Sequence, residues 1–385
     1  MNRPLSQRIQ RIGNAGAFGV WEKAMALEAK GKKIIHLEIG EPDFDTPAHI
    51  IETAHQSMRN GRTHYGSPYG DMTLRETVAD YVKKTRNTAV SPQNIVITPG
   101  VKGAIVMSLL TLVEHGDNVL VPAPYYPPYA EIIRYAGGNI IECPLTAADG
   151  FQINKSLLES YITKKTRVIL INSPCNPTGV ILNEASLTAV AELALEHDLW
   201  VISDEIYYQL NFTSSPPPSI FSNPALLDRT ILLDGFSKPY AMTGWRLGFG
   251  VFPERVTKAI ADLIVNYNSC VPLFIQDAGV AALTGPQQPA KVMLETYRKR
   301  RDAAIEIIDQ IPNVSYAFPN GAFYIYLDIS KTGRNAETFA YDCLEAGVAL
   351  LPQGPNHIRV AFTQSESAIR EGLSKMQQVL KTKIV

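Results

Sequence analysis

Seven short apolar runs constrain this chain more than any other feature. They are IIHLEI (34–39), NIVIT (94–98), NVLVP (118–122), RVILIN (167–172), LWVISD (199–204), TILLDG (230–235) and LGFGVF (247–252). They lack alternation, so each reads as a strand buried on both faces. Helical patterns lie among them at 71–86, 101–114 and 184–196, with Asp71 placed to cap the first. Such strands and helices form a mainly parallel sheet covered on both sides, an α/β fold. After about Val271 the texture changes to long charged helices at 291–310 and 365–381, with AFYIYLD and HIRVAF between them. That reads as a smaller α+β domain. The expected division is a large domain over 46–275 and a small one over 276–385. The N-terminal 1–45, with one strand and one helix, joins the small domain because chain ends often lie together at the surface.

Composition narrows the function. The chain has 385 residues, 45% hydrophobic and 19% charged, with a formal net charge of −1. That supplies a sizeable core and gives no electrostatic reason to bind nucleic acid or an anionic membrane. No run reaches the roughly 20 apolar residues of a membrane span, and the N-terminus lacks an apolar segment of signal-peptide length. Cys143, Cys175, Cys270 and Cys343 are scattered without metal-ligand spacing. Neither a disulfide framework, nor a zinc site, nor any other metal is expected, and a reducing cytoplasm fits. The expected partner is a small molecule in a local site.

Ligands of open α/β sheets bind beyond the carboxyl ends of the strands, so the residues just past each strand carry the most weight. After NIVIT, Gly100 opens a turn into a helix whose free amides suit a phosphate. After RVILIN comes Asn176 in a Pro-bracketed turn, and after LWVIS come Asp204, Glu205 and Tyr207. After TILLDG the stretch FSKPYAMTGWRLG (236–248) carries Ser237, Lys238 and Arg246. A lysine between two buried strands is costly unless something negative or covalent meets it. Each residue also has an ordinary reading: a helix start at Gly100, a turn at Asn176, an N-cap at Asp204, an ion pair at Arg246, a packed Cys175. The histidines are scattered and take no role. Together, though, the residues supply a lysine whose burial beside another cation favours the free amine, an acid for a ring nitrogen, and a phosphate cup. Those are the parts of a pyridoxal phosphate site.

The motifs then become specific. GEPDFDTP (40–47), HYGSPYGDMTLRE (64–76), TPGVKGA (98–104), PAPYYPPY (122–129), NSPCNPTG (172–179), SDEIYY (203–208), FSKPYAMTGWRLG, YRKRRD (297–302), NGAFY (320–324) and HIRVAF (357–362) run nearly end to end. In this order the chain resembles a class I/II aminotransferase of the fold-type I pyridoxal-phosphate family, close to the bacterial aspartate type. The resemblance implies that fold, a homodimer with shared active sites, and an amino group moved between an L-amino acid and a 2-oxo acid by ping-pong half-reactions. It implies that Lys238 forms the Schiff base and shuttles the proton, and that Asp204 keeps the pyridine nitrogen protonated. Asn176 and Tyr207 bond the phenolate oxygen. Tyr126, or its neighbour Tyr125, stacks on the ring. Ser237, Arg246 and the Gly100–Val101–Lys102 turn hold the phosphate, with Tyr65 reaching it from the other subunit. Arg359 forks onto the substrate α-carboxylate beside the Gly40 backbone, and Asn176 also borders the substrate.

Lys102 resembles the lysine of bacterial aspartate and prephenate aminotransferases that meets a second substrate carboxylate. It reads equally well as added charge near the phosphate, or as a solvent-facing side chain. The chain departs from the family pattern twice. Gly235 stands where a serine or threonine is common, and the segment GVALLPQGPNHIRVAF is short, lacking the Gly-rich loop and phenylalanine of many relatives. Other reactions on the same fold stay open, among them a C–S lyase, a cyclopropane-forming synthase and a decarboxylating transferase. A silent regulatory or binding domain is a further reading, which the presence of Lys238 and Arg359 argues against.

Overall fold

The computed structural model describes residues 16–381, together with Ser6, Ile9, Ile12 and Gly13. The other residues of the N-terminal segment lie outside the described set. The short strand β1 is Ile35–His36. A seven-stranded sheet comes next, made of β2 (Ile95–Thr98), β3 (Asn118–Ala123), β4 (Asn139–Pro144), β5 (Thr166–Asn172), β6 (Trp200–Asp204), β7 (Thr230–Gly235) and β8 (Gly248–Val251), in the order β2-β8-β7-β6-β5-β3-β4. Every pair is parallel except those of β8, which runs against both β2 and β7. This reversal explains the lysine stretch. An antiparallel return needs no crossover helix, so the chain from β7 to β8 is a loop at the carboxyl edge of the sheet.

Strands β2, β5, β6, β7 and β8 are almost wholly buried, as their unbroken apolar sequences require. Strand β4 has no counterpart in the apolar runs. It lies at the sheet's edge, mostly exposed or half-buried, just after the left-handed Gly137 that ends helix Pro128–Ala136. Strand β1 is shorter than the run IIHLEI suggests, because it pairs only with β11 (Val348–Ala349). Beyond it the backbone stays extended: Leu37 bonds to Ala349 and Ala361, carrying the chain to Gly40. Asp71 caps helix Met72–Arg86 by accepting from Thr73 N at 3.0 Å, and Asn183 caps Glu184–Glu196 by accepting from Ser186 N at 2.8 Å.

A second, antiparallel sheet holds β9 (Ser315–Tyr316), β10 (Tyr324–Asp328), β12 (Leu351–Pro352) and β13 (His357–Ala361), in the order β12-β13-β10-β9. AFYIYLD and HIRVAF are therefore paired neighbours, with Tyr326 opposite Arg359. Helix Leu273–Thr284 packs on Ala48–Arg59 and Met72–Arg86, beside the large sheet, so a division at 275/276 passes through it. Among the described residues, no helix is long and apolar enough to cross a membrane.

Behind the sheet edge lies a buried ionic cluster. Arg86, at the end of helix Met72–Arg86, donates to Glu205 Oε2 at 3.1 Å and to Asp234 Oδ2 at 2.7 Å, all three sealed from solvent. Ser203 and Ser219 bond the other Glu205 oxygen, Tyr81 bonds Asp234, and the Tyr208 ring lies 3.5 Å under the guanidinium. Removing one partner of such a set strands buried charge. Arg86→Met should therefore cost about 3–5 kcal/mol in urea unfolding. Adding Glu205→Gln and Asp234→Asn should recover most of that loss; no recovery would mean that Arg86 contributes through packing alone.

Candidate active site

A cavity of about 590 Å³ opens at the carboxyl edge of the large sheet, where the small sheet meets it. It collects Gly40, Val101, Lys102, Tyr126, Asn176, Asp204, Tyr207, Ser237, Lys238, Arg246 and Arg359. Strand register explains the convergence. Asn172 and Asp204 are paired ends of β5 and β6, while Thr98 and Gly235 both pair with Gly248. The helix beginning at Gly100 and the loop carrying Lys238 thus leave the sheet side by side. Helix Ala17–Glu28 adds Ala17 and Phe18 to the cavity wall.

Lys238 Nζ donates to the Gly40 carbonyl at 2.7 Å and lies 5.4 Å from the Phe323 ring centre. Burial pushes its ammonium down to about 8; Glu41 opposes the shift, while Arg359, Arg246 and Lys102 add to it. The amine is thereby brought within reach of its free, nucleophilic form near neutral pH.

Asp204 is buried at the end of β6. Its Oδ2 accepts from Tyr129 OH at 2.5 Å and its Oδ1 from Ile206 N at 3.2 Å. Burial pushes its carboxyl up to about 6, against the pull of those two donors. A cation facing Asp204 would bring its carboxyl back down.

At one end of the cavity, Arg359 Nη1 donates to Asn176 Oδ1 at 3.1 Å and Nη2 donates to the Glu38 carbonyl. Its Nε is buried without a partner among the described residues. Tyr207 OH lies 2.9 Å from Tyr324 OH. Tyr126 lines the cavity, whereas the Tyr125 hydroxyl turns away to Glu142 at 2.6 Å. The geometry thus separates the two neighbours that the sequence leaves open.

At the opposite end Gly100, with φ of +74°, starts the helix Gly100–Leu112, and a β-carbon there would run into the Arg246 guanidinium. Arg246 Nη1 bonds the Thr243 carbonyl at 2.8 Å, and no carboxylate pairs with it among the described residues. Ser237 lies alongside. Gly235 has a physical reason to lack a side chain: a β-carbon would come 3.0 Å from Gly248 Cα and 3.1 Å from Val101 Cγ2. Tyr65 is outside this cavity, with its side chain 85% exposed. Tyr129, Tyr324 and Asn172, whose Nδ2 donates to the Asp204 carbonyl at 2.8 Å, take no role in the sequence reading. The two tyrosines sit inside the motifs PAPYYPPY and NGAFY, yet nothing in a linear pattern says that their hydroxyls meet Asp204 and Tyr207.

These residues fit pyridoxal phosphate. The helix start, Ser237 and Arg246 form an anion cup, Asp204 suits a protonated ring nitrogen, and Lys238 is a desolvated amine. The unpartnered Nε of Arg359 leaves donor capacity for a carboxylate.

Residues 32–376 match the model of the family described as aminotransferase class I and II. The chain belongs to that family. It is a pyridoxal-phosphate-dependent aminotransferase. It is 36% identical to an aspartate aminotransferase of Musicola paradisiaca, over 98% of this chain and 97% of that protein. It is 35% identical to an aromatic-amino-acid aminotransferase of Thermococcus litoralis, over 98% and 99%. Its fold is similar to that of the Thermus thermophilus aspartate aminotransferase solved with maleate, with a TM-score of 0.93, 33% identity, and 98% and 100% of the two chains covered.

The buried Asp204 sets a trade between stability and activity. Its carboxyl binds its proton more tightly in the folded apoprotein than in the unfolded chain, so its cost is absent below about pH 4, grows as the pH rises towards 6, and is complete above that. Asp204→Asn should leave the apoprotein equally or more stable at pH 8, by at most about 3 kcal/mol, with the gain fading towards pH 4. The same change should slow transamination by orders of magnitude, each tenfold being about 1.4 kcal/mol. Thermal melts of apoprotein across pH, set beside turnover of the loaded enzyme, read both. A destabilised apoprotein with normal turnover would place the ring-facing acid elsewhere.

Proposed function

We propose that this enzyme moves the amino group of an acidic L-amino acid, aspartate or glutamate, to a 2-oxo acid, and that it does so as a homodimer in the cytoplasm. The observation that carries the acidic donor is the charge count in the cavity. Four cations, Lys102, Lys238, Arg246 and Arg359, face two acids, Asp204 and Glu41. Arg246 is matched to the cofactor phosphate, Arg359 to the substrate α-carboxylate, and Lys238 to the cofactor itself. Lys102 is left over. Its ammonium sits 5.6 Å from the Tyr126 ring centre with no carboxylate partner among the described residues. A second substrate carboxylate would complete it. The maleate in the similar Thermus thermophilus structure is a dicarboxylate of that kind.

The proposed roles track the geometry. When bound, the cofactor supplies the aldehyde that accepts the amino group and a ring that withdraws electrons from the substrate's α-carbon. Asp204 holds the proton on the ring nitrogen, and Tyr129 holds Asp204. Asn176 and Tyr207 donate to the phenolate oxygen, while Tyr126 stacks on the ring. The backbone of the Gly100–Val101–Lys102 turn, Ser237 and Arg246 would hold the phosphate. Arg359, oriented by Asn176 and Glu38, fixes the α-carboxylate beside Gly40. Lys238 Nζ would take the proton of the substrate's α-carbon and return one in the reverse sense. The division into a large domain, 46–275, and a small one, 1–45 with 276–385, puts the substrate arginine on one body and the lysine on the other.

The dimer is supported by Tyr65. Its loop is tied to the segment before helix Leu273–Thr284, Gly66 N donating to Cys270 Sγ at 3.3 Å. Tyr267, at the end of helix Glu254–Asn268, is 75% exposed, and exposed aromatic side chains of this kind are ones that subunits cover.

A half-reaction panel tests the donor: each amino acid is added alone to the loaded enzyme and the absorbance change recorded. Aspartate or glutamate should react faster than alanine or aromatic donors. Lys102→Ala should slow the acidic donor by roughly 10–100-fold, the worth of a charge-assisted hydrogen bond, and leave neutral donors nearly unchanged. Equal losses with both donors would return Lys102 to the phosphate.

Hybrids test the shared site. Lys238→Ala and Tyr65→Ala homodimers should each be inactive or strongly impaired, and mixing them under exchange conditions should restore activity, because one of the two sites in a hybrid is intact. A fully active monomer in sedimentation would contradict the assignment.

A further inference from the structure

Tyr324 begins β10 on the small sheet, yet its hydroxyl reaches the large sheet's side of the cavity. It lies 2.9 Å from Tyr207 OH, with the two rings edge-to-face at 5.7 Å. Its ring supports the Arg359 guanidinium, whose central carbon is 4.5 Å from the ring centre. Its hydroxyl also fills the space that a β-carbon at Gly40 would need, and Gly40 is the residue whose carbonyl accepts from Lys238. One side chain, 2% exposed, therefore touches the tyrosine assigned to the phenolate oxygen, the arginine assigned to the α-carboxylate, and the backbone beneath the lysine.

Proton counting gives the direction that the tyrosine pair needs if Tyr207 is to serve a phenolate oxygen. Each phenol has one proton to give. Burial holds both hydroxyls above the ordinary phenol value, so both keep that proton. Among the described residues, the Tyr324 hydroxyl bonds Tyr207 OH alone. If Tyr207 gave its proton to Tyr324, none would remain for a phenolate oxygen in the cavity. If Tyr324 gives its proton to Tyr207, the Tyr207 proton is free to point inward, and the donated bond polarises it.

We propose that Tyr324 is a positioning residue for transamination, its hydroxyl donating to the Tyr207 oxygen so that Tyr207 in turn donates to the cofactor's phenolate oxygen. The role rests on the pyridoxal phosphate reading of Tyr207 and adds to it a second tyrosine that never meets the reacting atoms. Tyr324 also ties the arginine of the small sheet to the ring held by the large one.

The test uses loaded enzyme without substrate. The bound cofactor's absorbance is titrated with pH for wild type, Tyr324→Phe, Tyr207→Phe and the double variant. A donor to the phenolate favours the deprotonated form of the bound cofactor, so weakening it raises the midpoint. Tyr324→Phe keeps the ring beneath Arg359 and removes only the hydroxyl. Its midpoint should rise by roughly 0.5–1 pH unit, the size expected for loss of one neutral hydrogen bond. Tyr207→Phe should rise at least as far, and the double variant should match Tyr207→Phe alone, because Tyr324 acts through it. For substrate turnover, Tyr324→Phe should lower kcat several-fold with little change in KM.

A midpoint unchanged in Tyr324→Phe would overturn the proposal even if its melting temperature fell, since that pattern belongs to packing. Additive shifts in the double variant would overturn it too, by showing a direct effect. Wild-type protein that binds no cofactor, or Lys238→Ala with an unaltered titration, would instead defeat the reading beneath it.

Discussion

Gly248 lies so close to the first turn of helix Gly100–Leu112 that a β-carbon there would come 2.7 Å from both the Gly100 carbonyl carbon and the Val101 nitrogen. Gly235, its partner across β7 and β8, is nearly as crowded. Two bare positions on neighbouring strands let a helix start press directly on the sheet edge. The orphan amides of that helix then face the same space as the loop carrying Ser237, Lys238 and Arg246. A side chain at Gly248 would press into the backbone of the helix start, and one at Gly235 would need Gly248 and the Val101 side chain to give way slightly. The position that departs from the common family pattern, Gly235, is thus accounted for by contact rather than by a lost function.

Charge is handled in two layers around this contact. Facing the cavity, cations outnumber acids, and burial shifts Lys238 and Asp204 towards their neutral forms. Behind the same strand ends, Arg86 sits between Glu205 and Asp234, so the acid next in sequence to Asp204 is already paired and bonded. Arg86 pairs with both carboxylates from behind, though each still pushes the Asp204 carboxyl up, and of these three acids Asp204 is the one that lines the cavity. The carboxylates of SDE and LDG look alike in sequence, and only their partners separate a structural pair from a chemical one.

That contrast marks what the sequence could disclose. The strands with unbroken apolar runs were legible because burial on both faces leaves no alternation; β4 was not, because it is mostly exposed or half-buried and NIIECP carries only a short apolar stretch. The residues that line the cavity were legible because most come just after strand ends inside local motifs. Tyr129 and Tyr324 lie in such motifs too, but their partners, Asp204 and Tyr207, come from elsewhere in the chain, and a hydroxyl leaves no periodic trace. The choice between Tyr125 and Tyr126 needed side-chain direction. The stretch before Arg359 was visibly short, yet only the structure shows Gln353 Nε2 donating to the Tyr125 carbonyl at 2.7 Å, which anchors the abbreviated loop next to Tyr126 in the cavity wall.

The meeting of Gly40 and Tyr324 has a consequence for how this protein can vary. The hydroxyl occupies the volume that any side chain at position 40 would claim, so the two positions cannot drift independently. A lineage that enlarged residue 40 would first have to shrink residue 324, and would lose the partner of Tyr207 and the surface under Arg359 in the same step. Position 40 is thus held to glycine for as long as position 324 keeps its tyrosine.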